Sequence, residues 1–309
     1  MKNKIEHINI AVTNKCNLNC QHCTIWQDMP KEELSIENIK NVIHSKSLEE
    51  NADITLTGGE PFLHSDFTGI VGLILNENPN FLKNISTNGT LKYEMMELFS
   101  KYENFFSDFS LHISIDGITK HDEQRGASLK MILENIKGIK EILPNINIKL
   151  KFTITKLNYV DIVPTYEYSK LNNLGFKVKL AENARNYTNK IYDCRIADFT
   201  IQEKKSINRA LLSIYRDLQQ KNNTEAFFIN ETIKFLLETR KKEVCKTPFN
   251  RIFIMPDGQV YSCIHFDSIG NINDKNLEEI WSSKEAEIIR TKVKQHGCNS
   301  CIAYHGFSL

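Results

Sequence analysis

The sequence predicts an α/β protein with a parallel sheet and a small carboxyl-terminal domain. Six short segments rich in apolar and β-branched residues alternate with longer segments whose apolar residues recur at helical spacing. Such alternation places parallel strands beside one another, with the helices outside. Six strand–helix units are too few to close an eight-stranded barrel, so we expect an open, partial (β/α)6 barrel.

The predicted elements follow one another at regular intervals. Strands are predicted at residues 8–13, 54–57, 84–87, 111–115, 148–154 and 177–181. Helices are predicted at residues 35–47, 66–76, 93–102, 129–142 and 160–174, with two more at 202–219 and 226–242. We therefore divide the chain into a barrel (1–200), a helical bridge (201–244) and a small α+β domain (245–309).

The composition argues against several kinds of partner. Lysine and arginine number 39 against 38 aspartate and glutamate residues, so no basic surface for nucleic acid is indicated. No apolar run approaches the ~18 residues of a membrane span, and the first residues lack the apolar stretch of a secretory signal. Eight cysteines in such a chain favour metal binding over disulfides. We expect an oxygen-sensitive cytoplasmic protein.

Three cysteines follow the first predicted strand with the spacing C-x3-C-x2-C: Cys16, Cys20 and Cys23. Three thiolates on one short loop can bind three irons of a [4Fe–4S] cluster and leave the fourth iron open. The alternatives are a zinc knuckle or scattered buried thiols. Structural zinc is bound by four protein ligands, so a loop with three is unusual for it.

A second motif, Gly58–Gly59–Glu60–Pro61, follows the second predicted strand. A Gly-Gly pair alone is usually only a turn. Together with the cysteine triplet, however, this run resembles the GGEP motif of radical S-adenosylmethionine (SAM) enzymes. The resemblance implies the partial barrel of that family, with the methionine part of SAM on the open iron. It also implies that Gly58, Gly59 and Glu60 receive the SAM ammonium.

The resemblance implies further SAM contacts where the third and fourth strands end. These residues are Ser86, Asn88, Ser114 and Arg125, the last because its planar guanidinium suits a carboxylate. His22 occupies the aromatic position that lies beside the adenine in this family. Asp116 precedes a glycine, so a role as a plain turn residue explains it as well as a role in the site does.

The carboxyl third contains four more cysteines: Cys245, Cys263, Cys298 and Cys301. The segment NRIFIMPDGQVYSC predicts a hairpin, and the combination resembles the twitch domain, a short form of the SPASM extension. The resemblance implies a fully capped auxiliary [4Fe–4S] cluster, although hairpin cysteines with C-x2-C also suit zinc. Four ligands leave no open iron, and the chain ends in GFSL without a Gly-Gly tail. Both features argue against the cyclase branch of molybdenum-cofactor synthesis.

The resemblance implies an enzyme with two [4Fe–4S] clusters and SAM, reduced by an external one-electron donor such as flavodoxin or ferredoxin. SAM is cleaved to a 5′-deoxyadenosyl radical, which abstracts a hydrogen atom from a substrate carbon. The auxiliary cluster can then oxidise the substrate radical, giving a cross-link or a dehydrogenation. Alternatively a thiol donates a hydrogen atom and inverts the centre. The remaining cysteine, Cys194, is either that donor or a half-buried small apolar residue.

We expect a ribosomal peptide or another natural-product precursor as the substrate. The first strand begins within ten residues, which leaves no room for a peptide-recognition domain before it and weakens a leader-peptide mechanism. One alternative is an alcohol dehydrogenase that acts on aminocyclitol-type small molecules. A different class of function is a non-catalytic iron–sulfur binding or sensing protein, although such a protein has no need of a SAM pocket.

Overall fold

The computed structural model describes residues 3–106, 109–181, 199–221, 223–239 and 245–297. Its amino-terminal part alternates strands with helices. The strands are β1 (Ile5–Ala11), β2 (Leu48–Thr57), β3 (Leu82–Thr87), β4 (Ser110–Ser114), β5 (Asn147–Ile154) and β6 (Gly175–Leu180). The helices between them are α1 (Ile36–Ile43), α2 (Phe67–Glu77), α3 (Lys92–Lys101), α4 (His121–Arg125), α5 (Leu129–Ile142) and α6 (Ile162–Leu171).

The carboxyl-terminal part begins with two long helices. These are α7 (Ile201–Gln220) and α8 (Glu225–Leu236). They are followed by α9 (Thr247–Asn250), β7 (Arg251–Ile254), β8 (Gln259–Tyr261), β9 (Gly270–Asn271), α10 (Leu277–Trp281) and α11 (Lys284–His296). Among the described residues no helix has both the length and the apolar character to span a membrane.

All nine strands form one sheet in the order β6-β5-β4-β3-β2-β1-β7-β8-β9. Neighbouring strands from β6 through β7 are parallel, and β8 and β9 complete the sheet in antiparallel orientation. The predicted parallel α/β fold is therefore confirmed, as is the predicted hairpin, which is β7–β8. The hairpin also extends the barrel sheet, because β7 pairs with β1. That pairing joins distant segments and leaves no local signal in the sequence.

The two faces of the sheet differ in polarity. On β5, the residues Ile148, Leu150 and Phe152 are buried in the main apolar core with residues of the outer helices. The intervening residues Lys149 and Lys151 are half-buried on the opposite, inner face. The same alternation on the other strands gives the barrel an apolar outer face and a polar interior, which is the side available to ligands.

Several predicted boundaries differ from the structure, and one short helix was not predicted. The second strand begins at Leu48 rather than at residue 54, because a polar extension pairs with Ile5 across an irregularity in the register. The last bridge helix ends at Leu236, before the predicted limit of residue 242. The short helix α4 was not predicted, since five residues are too few to show helical periodicity.

Candidate active site

The loop that follows β1 carries the three cysteines of the first motif. Cys20 is buried, whereas Cys16 and Cys23 are half-buried. The Cys23 amide donates to the Cys20 carbonyl at 3.1 Å, and the indole N–H of Trp26 donates to the Cys23 carbonyl at 2.8 Å. These bonds fold the loop back on itself at the carboxyl end of the strand, where ligands bind in parallel barrels.

The chemistry of the three thiols fits iron ligands. Burial raises the pKa of Cys16 to about 12 and that of Cys23 to about 11, and it also raises the pKa of Cys20. The thiols are therefore protonated at neutral pH, and iron binding must displace their protons. No three His, Cys, Asp or Glu side chains in the described ranges converge on a point for one metal ion. A cluster has no such requirement, because each of its irons takes one thiolate.

The GGEP turn packs directly against the cysteine loop. The Gly59 amide donates to the Thr13 carbonyl at 2.7 Å, and the Glu60 amide donates to the Lys15 carbonyl at 2.8 Å. A Cβ atom on Gly59 would lie 2.2 Å from the Lys15 carbonyl oxygen, and Gly58 has a φ of +151°. Only glycine permits this approach, because a side chain would clash with backbone that cannot move aside. The turn thus forms a cradle beside the thiols.

The Glu60 carboxylate lies fully buried beneath that turn. It accepts hydrogen bonds from the Asn88 amide at 2.7 Å, the Thr87 hydroxyl at 2.8 Å and the Phe62 amide at 3.3 Å. Burial raises its pKa to about 7, and these bonds oppose the increase. Asn88 in turn donates through its side chain to Asn17 of the cysteine loop at 2.8 Å. Glu60 therefore links the ends of β2 and β3 to the loop.

A buried ion pair, Asp116–Arg125, lies on the other side of the cysteine loop. Arg125 Nε lies 2.6 Å from Asp116 Oδ2, and Arg125 Nη1 lies 3.8 Å from Cys20 Sγ. Asp116 also accepts a hydrogen bond from the Thr153 amide at 2.8 Å. Burial opposes ionisation of Asp116, but the Arg125 charge outweighs it and the pKa is lower than usual. The plain-turn explanation of Asp116 is therefore wrong.

His22 lies within this same group. Its Nε2 atom is 3.6 Å from Asp116 Oδ2, and its Nδ1 atom is 3.2 Å from the Gln124 side chain. Burial lowers the pKa of His22 to about 4 and outweighs the opposite effect of Asp116, so the ring is neutral at pH 7. A neutral ring can pack against an aromatic base. The predicted contact with adenine remains a prediction.

The structure brings the other predicted SAM residues to the same edge of the sheet. Ser86 is at the end of β3 and Ser114 at the end of β4, each on the inner face. Arg125 lies close to the cysteine loop, but its guanidinium is already paired with Asp116. Its predicted role with the SAM carboxylate therefore depends on the nitrogen atoms that Asp116 leaves unpaired.

The second cysteine group is only partly within the described residues. Cys263 is buried after β8, and Cys245 is half-buried before α9. Cys298 and Cys301 lie outside the described residues, as does Cys194.

Sequence reasoning missed the lysines of the barrel interior. They occupy alternate positions of β5 and β6, in the runs NIKLK and FKVKL. Alternation of lysine with buried apolar residues was the available signal, because lysine is rare on an enclosed sheet face.

A parallel, partial barrel with a three-cysteine loop at the end of its first strand is the arrangement that the sequence motifs predict for an iron–sulfur enzyme that acts on SAM. Comparison with protein families agrees. The sequence model of the Radical SAM superfamily matches residues 10–168, and that of the SPASM iron–sulfur cluster-binding domain matches residues 245–302. The chain belongs to the radical SAM superfamily. Its cofactors are accordingly SAM, a [4Fe–4S] cluster in the barrel and a further cluster in the SPASM domain.

Individual proteins resemble the chain over most of its length. GTP 3′,8-cyclase of Nautilia profundicola is 25% identical over 308 residues, covering 94% of this chain and 90% of the relative. The solved structure of Streptococcus suis SuiB with S-adenosylmethionine has a TM-score of 0.68 at 16% identity, covering 94% of this chain and 68% of that one. The structure of native anSMEcpe with bound AdoMet and the Cp18Cys peptide has a TM-score of 0.67 at 17% sequence identity. The match covers 93% of this chain and 82% of that one. These two structures show the same fold.

We predict that Glu60 makes the stability of the cluster-free protein depend on pH. Its folded pKa of about 7 lies above the ordinary value of 4.5, so the protonated carboxyl favours the fold below pH 4.5. That stabilisation is lost as the pH rises through about 7. The Glu60→Gln variant cannot ionise at this position and should have a lower free energy of unfolding than wild type. Because only wild type loses stability as Glu60 ionises, this difference should shrink by roughly 1–3 kcal/mol between pH 4.5 and 7.5.

Urea unfolding at several pH values measures this difference. Glu94→Gln is the matched control, because Glu94 is exposed on α3. If the difference in the free energy of unfolding between Glu60→Gln and wild type does not change with pH, as expected for the control, Glu60 has an ordinary pKa.

Proposed function

We propose that the chain positions SAM and a substrate inside the barrel so that a hydrogen atom is removed from a substrate carbon. The observation that carries this proposal is the contact of the cysteine loop with both the GGEP turn and the Asp116–Arg125 pair. When bound, the barrel cluster and SAM supply a 5′-deoxyadenosyl radical. An external one-electron donor is required, for which flavodoxin or ferredoxin is our candidate.

The side chains around the cysteine loop have separate tasks in this proposal. Gly58 and Gly59 allow the backbone to approach the methionine part of SAM, and Glu60 fixes that turn and faces the ammonium. Arg125 meets the carboxylate, while the neutral ring of His22 packs beside the adenine. Polar residues at the ends of β3 and β4, Ser86, Asn88 and Ser114, lie on the side of the ribose. The apolar outer core excludes bulk water from the strand ends on that side.

We propose a natural-product precursor, either a ribosomal peptide or a small molecule, as the substrate, and oxidation as the net reaction. The match to the SPASM domain supports oxidation, because a second cluster provides an electron acceptor. Cys194 as a hydrogen donor, which would give epimerisation, is the alternative. An aminocyclitol-type alcohol would also be oxidised by this route.

A second candidate is cyclisation of a nucleotide. The curated relatives named GTP 3′,8-cyclase support it, since they align with 94% of this chain. The four cysteines of the carboxyl third favour the first proposal, because four ligands leave no iron open for a substrate. A non-catalytic sensing role is the remaining alternative, and it predicts no SAM cleavage.

We predict that the reconstituted protein releases 5′-deoxyadenosine slowly when it receives SAM and a strong reductant. Cys20→Ala should release none, because the loop then has two thiolates for the cluster. Gln27→Ala should behave like wild type, because this exposed side chain lies just beyond the same loop. The measurement is chromatography of the nucleoside, with the iron content of each variant determined in parallel. Wild type that carries a full barrel cluster and cleaves no SAM would instead support the non-catalytic role.

We also predict that the product is two hydrogens lighter than the substrate and carries no solvent deuterium. Oxidation removes a hydrogen atom and then an electron and a proton, so nothing is returned to the carbon. Mass spectrometry of turnover in deuterium oxide, with extracts or candidate precursors supplied as substrate, measures this directly. A product of unchanged composition with one deuterium would show thiol hydrogen donation, because thiol hydrogens exchange with solvent. In that case Cys194→Ala should abolish the deuterated product.

A further inference from the structure

Four lysines lie on the inner face of adjacent strands. They are Lys149 and Lys151 on β5 and Lys177 and Lys179 on β6. Lys151 pairs in register with Lys177, and Lys179 lies one step nearer the strand ends, opposite Thr153. With about 3.3 Å per residue, the lysines span about 13 Å along the barrel interior from Lys149 to the level of Lys179.

The two lysines farthest from the cysteine loop already have partners. Lys149 Nζ lies 3.2 Å from the Glu225 carboxylate at the start of α8. Lys177 Nζ lies 5.6 Å from the centroid of the Phe228 ring on the same helix. Helix α8 therefore contacts Lys149 and Lys177.

Lys151 and Lys179 are in a different situation. Within the described parts of the chain, neither Lys151 nor Lys179 forms an ion pair, and Lys151 Nζ donates a hydrogen bond to the Ser86 hydroxyl at 3.4 Å. Asp116 attracts Lys151 but is itself paired with Arg125. Lys151 is half-buried on the inner face of the barrel.

Burial and the neighbouring positive charges make a charged Lys151 unfavourable in the absence of an anion. Burial lowers the pKa of Lys151 well below its ordinary value, and the charges of Lys179, Lys177 and Arg125 lower it further. On β4, His112 pairs in register with Lys149 and is buried, with its Nε2 atom lacking a hydrogen-bond partner among the described residues. Its pKa is also well below the ordinary value because of burial and the adjacent lysines, so the ring is neutral. An anion beside Lys151 would favour its charged form.

We propose that Lys151 and Lys179 bind an oxyanion of the substrate, either a phosphate or a carboxylate, between the cysteine loop and α8. The inference rests on the proposed function, because it names the substrate class of that same site. Lys179 lies close enough to Cys23 and His22 to affect their pKa values, so the bound anion would adjoin the cluster loop. The substrate is then an acidic small molecule or an acidic precursor group, oriented by its charge.

The test is calorimetric titration of the anaerobically reconstituted full chain, saturated with SAM, with inorganic pyrophosphate and separately with tricarballylate. We expect at least one of them to bind, and the tighter one to identify a phosphate or a carboxylate. Lys151→Gln and Lys179→Gln should each weaken that binding about tenfold or more, because each removes a charged hydrogen-bond donor. Lys151→Arg should stay within about threefold of wild type. Lys130→Gln on the exposed side of α5 should bind as wild type does.

Lysine labelling of the wild type gives a second readout that requires no variant to fold. Bound pyrophosphate or tricarballylate should slow reductive methylation of Lys151 and Lys179 and leave that of Lys130 unchanged. The proposal is overturned if neither anion binds, if the glutamine variants bind as tightly as wild type, or if the anion protects neither lysine. Because binding is measured without turnover, an enzyme that cleaves SAM but binds no anion contradicts this inference and leaves the proposed function intact.

Discussion

The buried ion pair between Asp116 and Arg125 is the interaction on which the geometry of the site depends. Asp116 is fixed to β5 through the Thr153 amide, and Arg125 ends the short helix α4. That helix is bound to the cysteine loop, because the Gln21 amide donates to the Gln124 carbonyl at 2.9 Å. The pair thus connects the strand ends to the loop that carries the thiols. Removal of one partner leaves an uncompensated buried charge, which costs about 3–5 kcal/mol.

Two polar networks therefore hold the loop from opposite sides. On one side, the glycines of the GGEP turn pack so closely against the loop backbone that no side chain would fit there. Glu60 connects this turn to the end of β3 through the Asn88 amide. On the other side the ion pair places a guanidinium 3.8 Å from Cys20 Sγ, where its charge favours a thiolate over a thiol. The lysines of β5 and β6 continue this positive potential into the barrel interior. On β5 and β6, apolar side chains face the outer helices and lysines face the barrel interior.

Local patterns in the sequence predicted much of this architecture. The six strands, the cysteine loop and the GGEP turn were all found, since alternation, ligand spacing and turn glycines act over a few residues. The Asp116–Arg125 pair was not found, because the eight intervening residues fold back through α4 and no short-range pattern indicates this. The pairing of β7 with β1 likewise depends on tertiary packing. The lysine pattern was visible, but the face it occupies follows from the register of the whole sheet.

Amide hydrogen exchange of the Asp116→Asn variant tests the central claim most directly. This substitution keeps the shape of the side chain and removes the charge that pairs with Arg125. We expect the amides of residues 16–24 and 121–125 to exchange at least tenfold faster than in wild type, because the loop loses the support of α4. Amides of α11 should exchange as before. Unchanged exchange in residues 16–24 would contradict the account, since the loop would then be held without the pair.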